Sequence, residues 1–400
     1  MEIKQLYKLY LEHPVITTDS RQLTPGSIFL ALKGASFNGN LFAQDALLKG
    51  CSYAIVDEDV DVSEQLADRV IRVDDCLQTF KLLAREHRRQ FSIPVIGITG
   101  TNGKTTTKEL TAAVLKKKYN LLYTQGNLNN SIGVPLTLLR MTREHDLALI
   151  EMGASHPGDI TELVNICEPN CGLITNVGKA HLLGFGSFEG VMRTKKELYD
   201  YLALHGGFCF RNLDNPHLKK MAGNLETVGY HTGTMLSGTQ LVGDYNSENI
   251  QAALCVGEYF GIPRTQGETA IREYVPQNNR SQLLKTEKNV VIVDAYNANV
   301  TSMTAAIKAF NGDTLILGDM LELGAYSAAE HQNIVDLIRE KGFTDVYLVG
   351  AEFGKTHCDF DKYTNADQLR LAIALRPITG KKILLKGSHG IHLEKIIEVL

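Results

Sequence analysis

The clearest chemical signal in this sequence is a glycine-rich stretch, GITGTNGKTTT, that begins at Gly97. It follows a short apolar run and precedes a segment with helical apolar spacing, which is the context of a phosphate-binding loop. Gly100 and Gly103 let several backbone N–H groups converge on one anion, and Lys104 adds a point charge for the β- and γ-phosphates. Thr105 follows the lysine, where a hydroxyl binds Mg²⁺. The stretch therefore predicts a site for a nucleoside triphosphate.

A triphosphate site also needs a carboxylate for the metal, and sites on parallel sheets gather such groups at strand ends. Glu151 closes the apolar run DLALIEMG, where burying a glutamate without a cation partner is costly. The alternative is an edge-strand glutamate that faces water. His181 and Lys195 follow the next apolar run, but a lone histidine is more often structural and a lysine more often solvated. Spacing alone leaves the role of these two residues open.

The elements that must position these groups alternate along the chain. Short apolar runs ending in Gly, Asp, Asn or Glu predict buried parallel strands, and apolar residues three and four apart predict helices between them. The pattern indicates an α/β fold with crossover helices. The predicted strands are Ile28–Gly34, Tyr53–Glu58, Ile93–Gly100, Asp146–Gly153, Cys171–Gly178, Val290–Asn297, Thr314–Asp319, Asp345–Gly350 and Lys382–Ser388, and the predicted helices are Leu41–Lys49, Leu77–Gln90, Lys104–Lys118, Ser302–Phe310 and Ala328–Lys341.

The length of 400 residues corresponds to two or three domains of about 150 residues each. A first boundary lies near Phe91, because Ser92-Ile93-Pro94 interrupts the helical pattern before the next strand. A second is predicted around 272–282, where Pro, Asn and Ser occur together. We predict a small mixed α/β domain at 1–90, a central parallel-sheet domain with the phosphate loop at 91–278, and a Rossmann-like α/β domain at 279–400.

Composition excludes several classes of protein. With 22% charged and 44% hydrophobic residues, and no run near the roughly 18 apolar residues of a membrane span, the chain is neither disordered nor membrane-spanning. The 41 basic and 45 acidic side chains leave a net charge of -4, which gives no electrostatic basis for binding nucleic acid. Seven scattered cysteines and a start without an apolar signal-peptide core predict reduced thiols and a cytoplasmic protein.

The phosphate loop is accompanied by further motifs in a fixed order: GNLNNSIGVPLTLL, EMGASHPGDI, NVGKAHLLGFGS, DAYNANVTSM, LGDMLELG and KGSHG. Together they resemble the Mur ligase family, ATP-dependent enzymes that add amino acids to the muramoyl peptide of peptidoglycan precursors. The resemblance covers nearly the whole chain and is strongest to members that join D-alanyl-D-alanine to UDP-N-acetylmuramoyl-tripeptide through an acyl phosphate. It implies a monomeric ligase in which residues 1–90 bind the UDP-substrate, 91–278 bind ATP and two Mg²⁺ ions, and 279–400 form the ligase domain.

The resemblance also implies roles for single residues. Lys104 and Thr105 match the nucleotide-phosphate and first-magnesium residues, and Glu151 matches the shared magnesium carboxylate. His181 matches the histidine of the second metal, and Lys195 matches a lysine that the family carries as a carbamate, a ligand of that metal. With Arg280, which matches an arginine that the third domain brings to the phosphates, these residues form the expected catalytic set. The nucleotide set also includes Gly100, Thr101, Asn102, Gly103, Thr106, Asn249 facing the adenine, Arg280, Asp294 and Asn297, and the muramoyl-substrate set is Ser20, Arg21, Asn127, Asn129 and Asn130.

The chain departs from the family pattern in several places. FNGN at Phe37–Asn40 replaces a frequent Asp-Gly-His, Tyr245 replaces a common histidine, and the stretch between Tyr230 and Leu241 is shortened. Separately, Ile98 stands where the strict phosphate-loop pattern has its first glycine. Two alternatives stay open. A sister ligase would add a single amino acid, although ELGAYSAAEH favours the dipeptide. A catalytically impaired ATP-binding homologue would not be expected to keep the metal set. The sequence leaves open whether the acceptor peptide carries lysine or diaminopimelate.

Overall fold

The structure is a computed structural model that describes residues 2–34, 36–277 and 280–400. Parallel strands and helices alternate along it, as the sequence predicts. The predicted boundary between Asn278 and Asn279 lies outside the described residues, so the division at 90 and 278 stays a prediction. None of the helices in the described ranges combines the length and apolar character that crossing a bilayer requires.

The N-terminal elements form a small parallel sheet. The strands are β1 (Ile16–Thr17), β2 (Ile28–Leu30), β3 (Lys33–Gly34), β4 (Phe37–Asn38), β5 (Tyr53–Val56) and β6 (Val70–Arg72), and the helices are α1 (Ile3–Glu12), α2 (Ala43–Leu48) and α3 (Cys76–Arg88). The sheet order is β1-β2-β5-β6, and β3 pairs with β4 as an antiparallel ribbon. The predicted strand at Ile28–Gly34 is interrupted, because the Leu32 N–H donates to the Leu30 carbonyl (3.0 Å) and ends β2 in a tight turn.

The central elements form a second sheet. The strands are β7 (Val95–Thr99), β8 (Leu121–Tyr123), β9 (Leu147–Glu151), β10 (Cys171–Ile174), β11 (Phe208–Asn212) and β12 (Thr227–Tyr230), and the helices are α4 (Lys104–Leu115), α5 (Gly133–Leu138), α6 (Asp159–Cys167), α7 (Leu182–Phe185), α8 (Phe188–Leu204), α9 (Pro216–Ala222), α10 (Asn246–Tyr259) and α11 (Arg264–Glu273). The strand order is β12-β11-β10-β7-β9-β8. Every residue of β7, β9 and β10 is buried, which explains their unbroken apolar sequences. The shortened stretch after β12 has no helix or strand.

The C-terminal elements form a third sheet. The strands are β13 (Gln282–Lys285), β14 (Val290–Asp294), β15 (Thr314–Gly318), β16 (Asp345–Val349), β17 (Asp361–Tyr363) and β18 (Lys382–Lys386), and the helices are α12 (Val300–Ala309), α13 (Ser327–Glu340), α14 (Ala351–Gly354) and α15 (Ala366–Leu375). The order is β13-β14-β18-β15-β16-β17, with only the edge strand β13 antiparallel among the described strands of this sheet. One apolar core includes residues of α12 and α13, and a second includes residues of α15. This arrangement is the Rossmann-like domain that the alternating pattern predicts.

By packing, the chain divides into two compact units. The first contains Met1–Gly97, Asn120–Met152 and Thr161–Asn170, and the second contains Ile98–Tyr119, Gly153–Ile160 and Cys171–Leu400. The predicted uridine-side residues, the three asparagines and Glu151 therefore belong to the first unit. The phosphate loop, His181, Lys195 and the predicted C-terminal residues belong to the second. Each unit is described separately below.

Candidate active site

The phosphate loop connects β7 to α4, and its two critical glycines have no room for a side chain. Gly100 has a φ of +142°, and a Cβ there would lie 2.0 Å from the Thr175 Oγ1. Gly103 has a φ of +77°, and a Cβ there would lie 2.4 Å from the Asn249 Oδ1. The left-handed backbone and these close approaches both require glycine. The spacing that predicts the loop from sequence therefore has a direct steric cause.

Lys104 is the first residue of α4, and its ammonium group bends back over the loop. The Nζ donates to the carbonyl oxygens of Gly100 (2.8 Å) and Thr101 (3.1 Å). The cation thus lies at the N-terminus of a helix, where the helix dipole also favours an anion. Thr105, only 4% exposed, occupies the next position of the helix. This geometry suits the terminal phosphates of a nucleotide.

The segment that follows β10 is hydrogen-bonded to the backbone of the phosphate loop. The Thr101 N–H donates to the Asn176 carbonyl (2.9 Å), and the Asn102 N–H donates to the Asn176 Oδ1 (3.0 Å). The Thr175 hydroxyl donates to the Asn102 carbonyl (2.6 Å). Sequence reasoning gave Thr175 and Asn176 no role, although their position directly after a buried strand was a usable signal. Their contacts fix the backbone that would surround the phosphates.

Asn249, the residue predicted to face the adenine, contributes to this support. It is 6% exposed on α10, and its Oδ1 accepts from the Thr107 hydroxyl (3.0 Å). Its Nδ2 donates to the Asn246 Oδ1 (2.9 Å). The side-chain amide therefore links α10 to the first turns of α4. Contact with a base stays a prediction for this residue.

Lys195 lies on α8 and is buried, with 2% of its surface exposed. The Nζ lies 5.5 Å from the centroid of the Phe185 ring, and no carboxylate of the described residues forms an ion pair with it. Burial, followed by the nearby charge of Lys104, lowers the pKa of Lys195 well below its ordinary value. Loss of the proton gives a neutral amine, which is the form that reacts with CO₂ to give a carbamate.

His181 precedes α7 and pairs with a carboxylate that sequence reasoning missed. Its Nδ1 is in close contact with the Glu322 Oε2, and this neighbour lowers the pKa of the Glu322 carboxyl. Both residues have positive φ, +49° and +64°, an unfavourable backbone conformation for non-glycine residues. A carboxylate on one ring nitrogen orients the other nitrogen toward a metal in many metal sites. Glu322 lies in the LGDMLELG motif, which was the available signal.

In the first unit, Glu151 ends β9 with none of its surface exposed. Its Oε1 accepts from the Asn129 Nδ2 (2.8 Å). The Asn130 Oδ1 accepts from the N–H groups of Ile132 (3.1 Å) and Gly133 (2.8 Å) where α5 begins. Asn130 therefore has a local structural role at the helix start, and Asn129 holds the carboxylate. Their predicted contacts with substrate stay predictions, as does that of the exposed Asn127.

The predicted uridine strip follows β1. The Arg21 guanidinium pairs with both carboxylate oxygens of Asp19, at 2.9 Å each, and lowers the pKa of Asp19 to about 2. The Arg21 side chain is 87% exposed, and Ser20 is half-buried. An exposed ion pair of this kind contributes little to stability, so Arg21 can exchange Asp19 for another anion at low cost.

On the C-terminal side, Asp294 ends β14 and is paired with a buried lysine. The Lys386 Nζ donates to the Asp294 Oδ2 (2.5 Å), and the Ser281 N–H donates to the Oδ1 (3.4 Å). The Arg280 guanidinium carbon lies 3.9 Å from the centroid of the Tyr296 ring. Asn297 is exposed, and its carbonyl lies 3.4 Å from the Lys386 Nζ. Lys386 and Tyr296 are further residues that sequence reasoning did not identify.

Tyr245, at the position where relatives commonly have histidine, contacts the start of this region. The Tyr245 hydroxyl is hydrogen-bonded to the Ser281 Oγ (3.0 Å), and burial raises the pKa of Tyr245. Ser281 itself has a φ of +48°. The substitution therefore exchanges an imidazole for a hydroxyl that fixes the residue after Arg280.

The phosphate loop also contacts α12 directly. The Asn299 Oδ1 caps this helix by accepting from the Ser302 N–H (2.9 Å), and the Asn299 Nδ2 donates to the Asn102 Oδ1 (2.7 Å). The Lys179 N–H donates to the Thr301 Oγ1 (3.2 Å). These bonds connect the start of α12 to the loop and to the segment behind it.

The donor groups fit magnesium in part. Within the described residues, no group of three or more His, Cys, Asp or Glu side chains forms a preassembled metal cluster. Magnesium in nucleotide sites typically uses one or two protein carboxylates and completes its shell with phosphates and water, so a threonine hydroxyl and one buried carboxylate are suitable protein ligands. His181 is a suitable donor for a second ion. Lys195 would offer the oxygen ligands that magnesium prefers only after modification to a carbamate.

Comparisons with known proteins point to one family. Residues 98–235 match the family model of the Mur ligase middle domain, residues 279–388 match that of the Mur ligase, glutamate ligase domain, and residues 14–88 match that of the Mur ligase family, catalytic domain. The UDP-N-acetylmuramoyl-tripeptide–D-alanyl-D-alanine ligase of Bacillus subtilis (strain 168) is 33% identical over 96% of this chain and 92% of its own length.

Two solved structures extend the comparison to the fold. MurF from Acinetobacter baumannii superposes with a TM-score of 0.84 at 28% identity, over 96% of this chain and 92% of that one. MurF ligase from Thermotoga maritima in complex with ADP superposes with a TM-score of 0.84 at 25% identity, over 97% of both chains. The predicted resemblance and the three-domain α/β fold are confirmed. The chain belongs to the Mur ligase family.

Proposed function

We propose that this protein is an ATP-dependent ligase that joins D-alanyl-D-alanine to UDP-N-acetylmuramoyl-tripeptide, a step of peptidoglycan precursor synthesis. The observation that carries the proposal is the phosphate loop with Lys104 bent over its carbonyls at the start of α4. The names of the relatives supply the substrates, and the ADP in the Thermotoga structure supports nucleotide use.

Amide formation from a carboxylate needs activation, because the anion is a poor electrophile and hydroxide is a poor leaving group. In the proposed reaction, the tripeptide carboxylate attacks the γ-phosphate of ATP, which gives an acyl phosphate and ADP. The D-alanyl amine then attacks the acyl carbon and releases phosphate. Lys104 and the loop N–H groups neutralise charge that develops on the transferred phosphoryl group.

Bound magnesium ions would supply further charge neutralisation for this transfer. We assign Thr105 and the buried Glu151 carboxylate to the first ion, with Asn129 holding Glu151. We assign His181 and a carbamate on Lys195 to the second. The environment of Lys195 supports the carbamate, because burial favours the neutral amine over the ammonium.

The C-terminal residues have a protective role in this scheme. Water would hydrolyse an acyl phosphate, so a domain that closes over the site preserves the intermediate. Arg280 would bring a further positive charge to the phosphates, and Asp294 and Asn297 would lie beside the nucleotide. Ser20 and Arg21 would bind the uridine diphosphate part, and Asn127, Asn129 and Asn130 would line the muramoyl-peptide side.

The direct test is ADP release with UDP-N-acetylmuramoyl-tripeptide, measured with and without D-alanyl-D-alanine. We expect full turnover only with all three substrates, and loss of turnover by more than about a hundredfold in Lys104→Ala, because one charge-stabilising group contributes about 3 kcal/mol to the transition state. Lys117→Ala is the matched control, since Lys117 lies just beyond the same helix and pairs with the exposed Glu273. Normal turnover in Lys104→Ala would contradict the proposal.

The same assay separates the alternatives. Turnover with a single amino acid in place of the dipeptide would identify a sister ligase, and nucleotide binding without turnover would identify an impaired homologue. Product formation with lysine- and diaminopimelate-containing tripeptides would define the acceptor. We further propose a cytoplasmic monomer with domains at 1–90, 91–278 and 279–400. Light scattering and limited proteolysis test the monomer and these boundaries.

A further inference from the structure

The Arg280 side chain is held by an aromatic ring. Its guanidinium carbon lies 3.9 Å from the centroid of the Tyr296 ring, well within the range of a cation–π contact. No ion pair or side-chain hydrogen bond joins Arg280 to another residue in the ranges 2–34, 36–277 and 280–400. The Arg280 N–H groups therefore donate to none of the described residues, while the face of the guanidinium packs against the Tyr296 ring.

The nearby carboxylate does not compete for Arg280, because it already has a cation. Asp294 accepts from the Lys386 Nζ, and its other oxygen accepts from the N–H of Ser281, the neighbour of Arg280. Lys386 is only 1% exposed. A buried pair of this kind is costly to break, so Lys386 keeps Asp294 neutralised.

Tyr296 is itself held in place. Ala295, the residue before it, and Ala298, two residues after it, are 1% and 2% exposed and belong to the two cores of the C-terminal sheet. The His389 ring, from the KGSHG motif, lies 5.8 Å from the Tyr296 ring at 58°. The tyrosine therefore presents a fixed aromatic face to Arg280.

We propose that Tyr296 is a positioning residue for Arg280, and this inference rests on the proposed function. A salt bridge would hold the arginine by occupying its donors, whereas the ring quadrupole attracts the cation through its face and leaves the donors at the edge for phosphate oxygens. The stack also restricts the side-chain rotamers of Arg280 before the phosphates arrive, which lowers the entropy cost of the contact.

The test compares Tyr296→Leu with Tyr296→Phe in the ADP-release assay. We expect kcat to fall about tenfold in the leucine variant with the KM for UDP-N-acetylmuramoyl-tripeptide nearly unchanged, because a cation–π contact of this strength is lost. The phenylalanine variant keeps the ring and should retain at least half the activity. Tyr363→Leu, on the far edge strand β17 of the same sheet, is the control for a general effect on the domain.

A double-mutant comparison tells whether Tyr296 acts through Arg280. In an Arg280→Ala background, Tyr296→Leu should cause no additional loss. Additive losses, equal damage in the phenylalanine variant, or unchanged kcat in the leucine variant would each overturn the inference. If the leucine variant does not fold, a trifluorinated phenylalanine at this position keeps the shape and weakens the ring's negative face, and it should give the same loss.

Failure of the proposed function has a different signature. In that case the unmodified protein itself would release no ADP in response to the muramoyl substrate and the dipeptide. Normal wild-type turnover combined with any of the three contrary outcomes would contradict only the role of Tyr296.

Discussion

Two lysines, one in the central part of the chain and one in the C-terminal sheet, are buried almost equally but differ in their partners. Lys386 is 1% exposed and is paired with the Asp294 carboxylate. Lys195 is 2% exposed, has an aromatic ring 5.5 Å from its Nζ and no ion pair with a carboxylate of the described residues, and has a lowered pKa. Lys386 fixes a neighbouring carboxylate through a direct hydrogen bond, whereas burial of Lys195 favours its neutral amine. The role of a buried lysine therefore depends on the group beside its amine and not on burial alone.

The largest expected effect concerns the activity of Lys195. Lys195→Ala removes the amine that would carry the carbamate, so turnover should fall by about a hundredfold or more. Added acetate or formate should restore part of the rate by supplying a small carboxylate. The adjacent Lys196→Ala is the control, because Lys196 is 40% exposed at its side chain and pairs with Asp200. Full activity in Lys195→Ala would refute the carbamate.

The next effect concerns stability. Lys386→Met should lower the free energy of unfolding by about 3 kcal/mol, because it leaves the Asp294 carboxylate with 17% of its side chain exposed and no cation. Urea denaturation followed by circular dichroism measures this loss. The double variant Lys386→Met/Asp294→Asn should recover much of it. If Lys386→Met were as stable as the wild type, the expected contribution of the Lys386–Asp294 pair would be wrong.

By contrast, Lys195→Met should raise the free energy of unfolding in CO₂-free buffer. The unfolded chain keeps the Lys195 proton up to about the ordinary pKa of 10.5, whereas the folded chain loses it at a lower pH. Since the unfolded state binds more protons between these two values, wild-type stability gains from this lysine as the pH rises. The methionine variant should therefore be more stable than the wild type, most clearly at the acid end, and the difference should narrow as the pH rises. Urea midpoints measured across the pH range test this expectation. A difference between the variant and the wild type that does not change with pH would contradict it.

The smallest effect is expected for an exposed lysine. The Lys117 Nζ lies 2.8 Å from the Glu273 carboxylate, with side chains 38% and 62% exposed. Lys117→Ala should change the free energy of unfolding by less than about 1 kcal/mol, because water and salt screen such pairs. The same urea measurement applies, and a loss as large as that of Lys386→Met would show that exposure does not separate the two pairs.

Local chemistry explains which parts of the molecule could be predicted from sequence. The phosphate loop was predictable because Gly100, Gly103 and Lys104 act within a few residues of one another. The buried strands β7, β9 and β10 were predictable because their apolar runs are unbroken. By contrast, β11 and the antiparallel β13 have mixed sequences and gain their strand structure from pairing with neighbours.

The contacts that sequence did not predict join distant segments. Lys386 meets Asp294 only because β18 and β14 are neighbours in register, a relation that no local pattern contains. Likewise, Tyr296 reaches Arg280 and Glu322 reaches His181 through the arrangement of loops. Asn130 illustrates the converse, since the same asparagine suits a substrate contact and a helix start, and the sequence does not distinguish the two.

The bond from Asn299 to Asn102 has a consequence for exchange of backbone hydrogens. Asn299 both caps α12 and donates to a side chain of the phosphate loop. Opening of that helix end is therefore thermodynamically coupled to ligand binding at the loop. If nucleotide binding strengthens the contact, the Ser302 amide should exchange its hydrogen with solvent more slowly, even though it would not touch the ligand. The first turn of α12 can therefore report, from outside the pocket, whether the loop is filled.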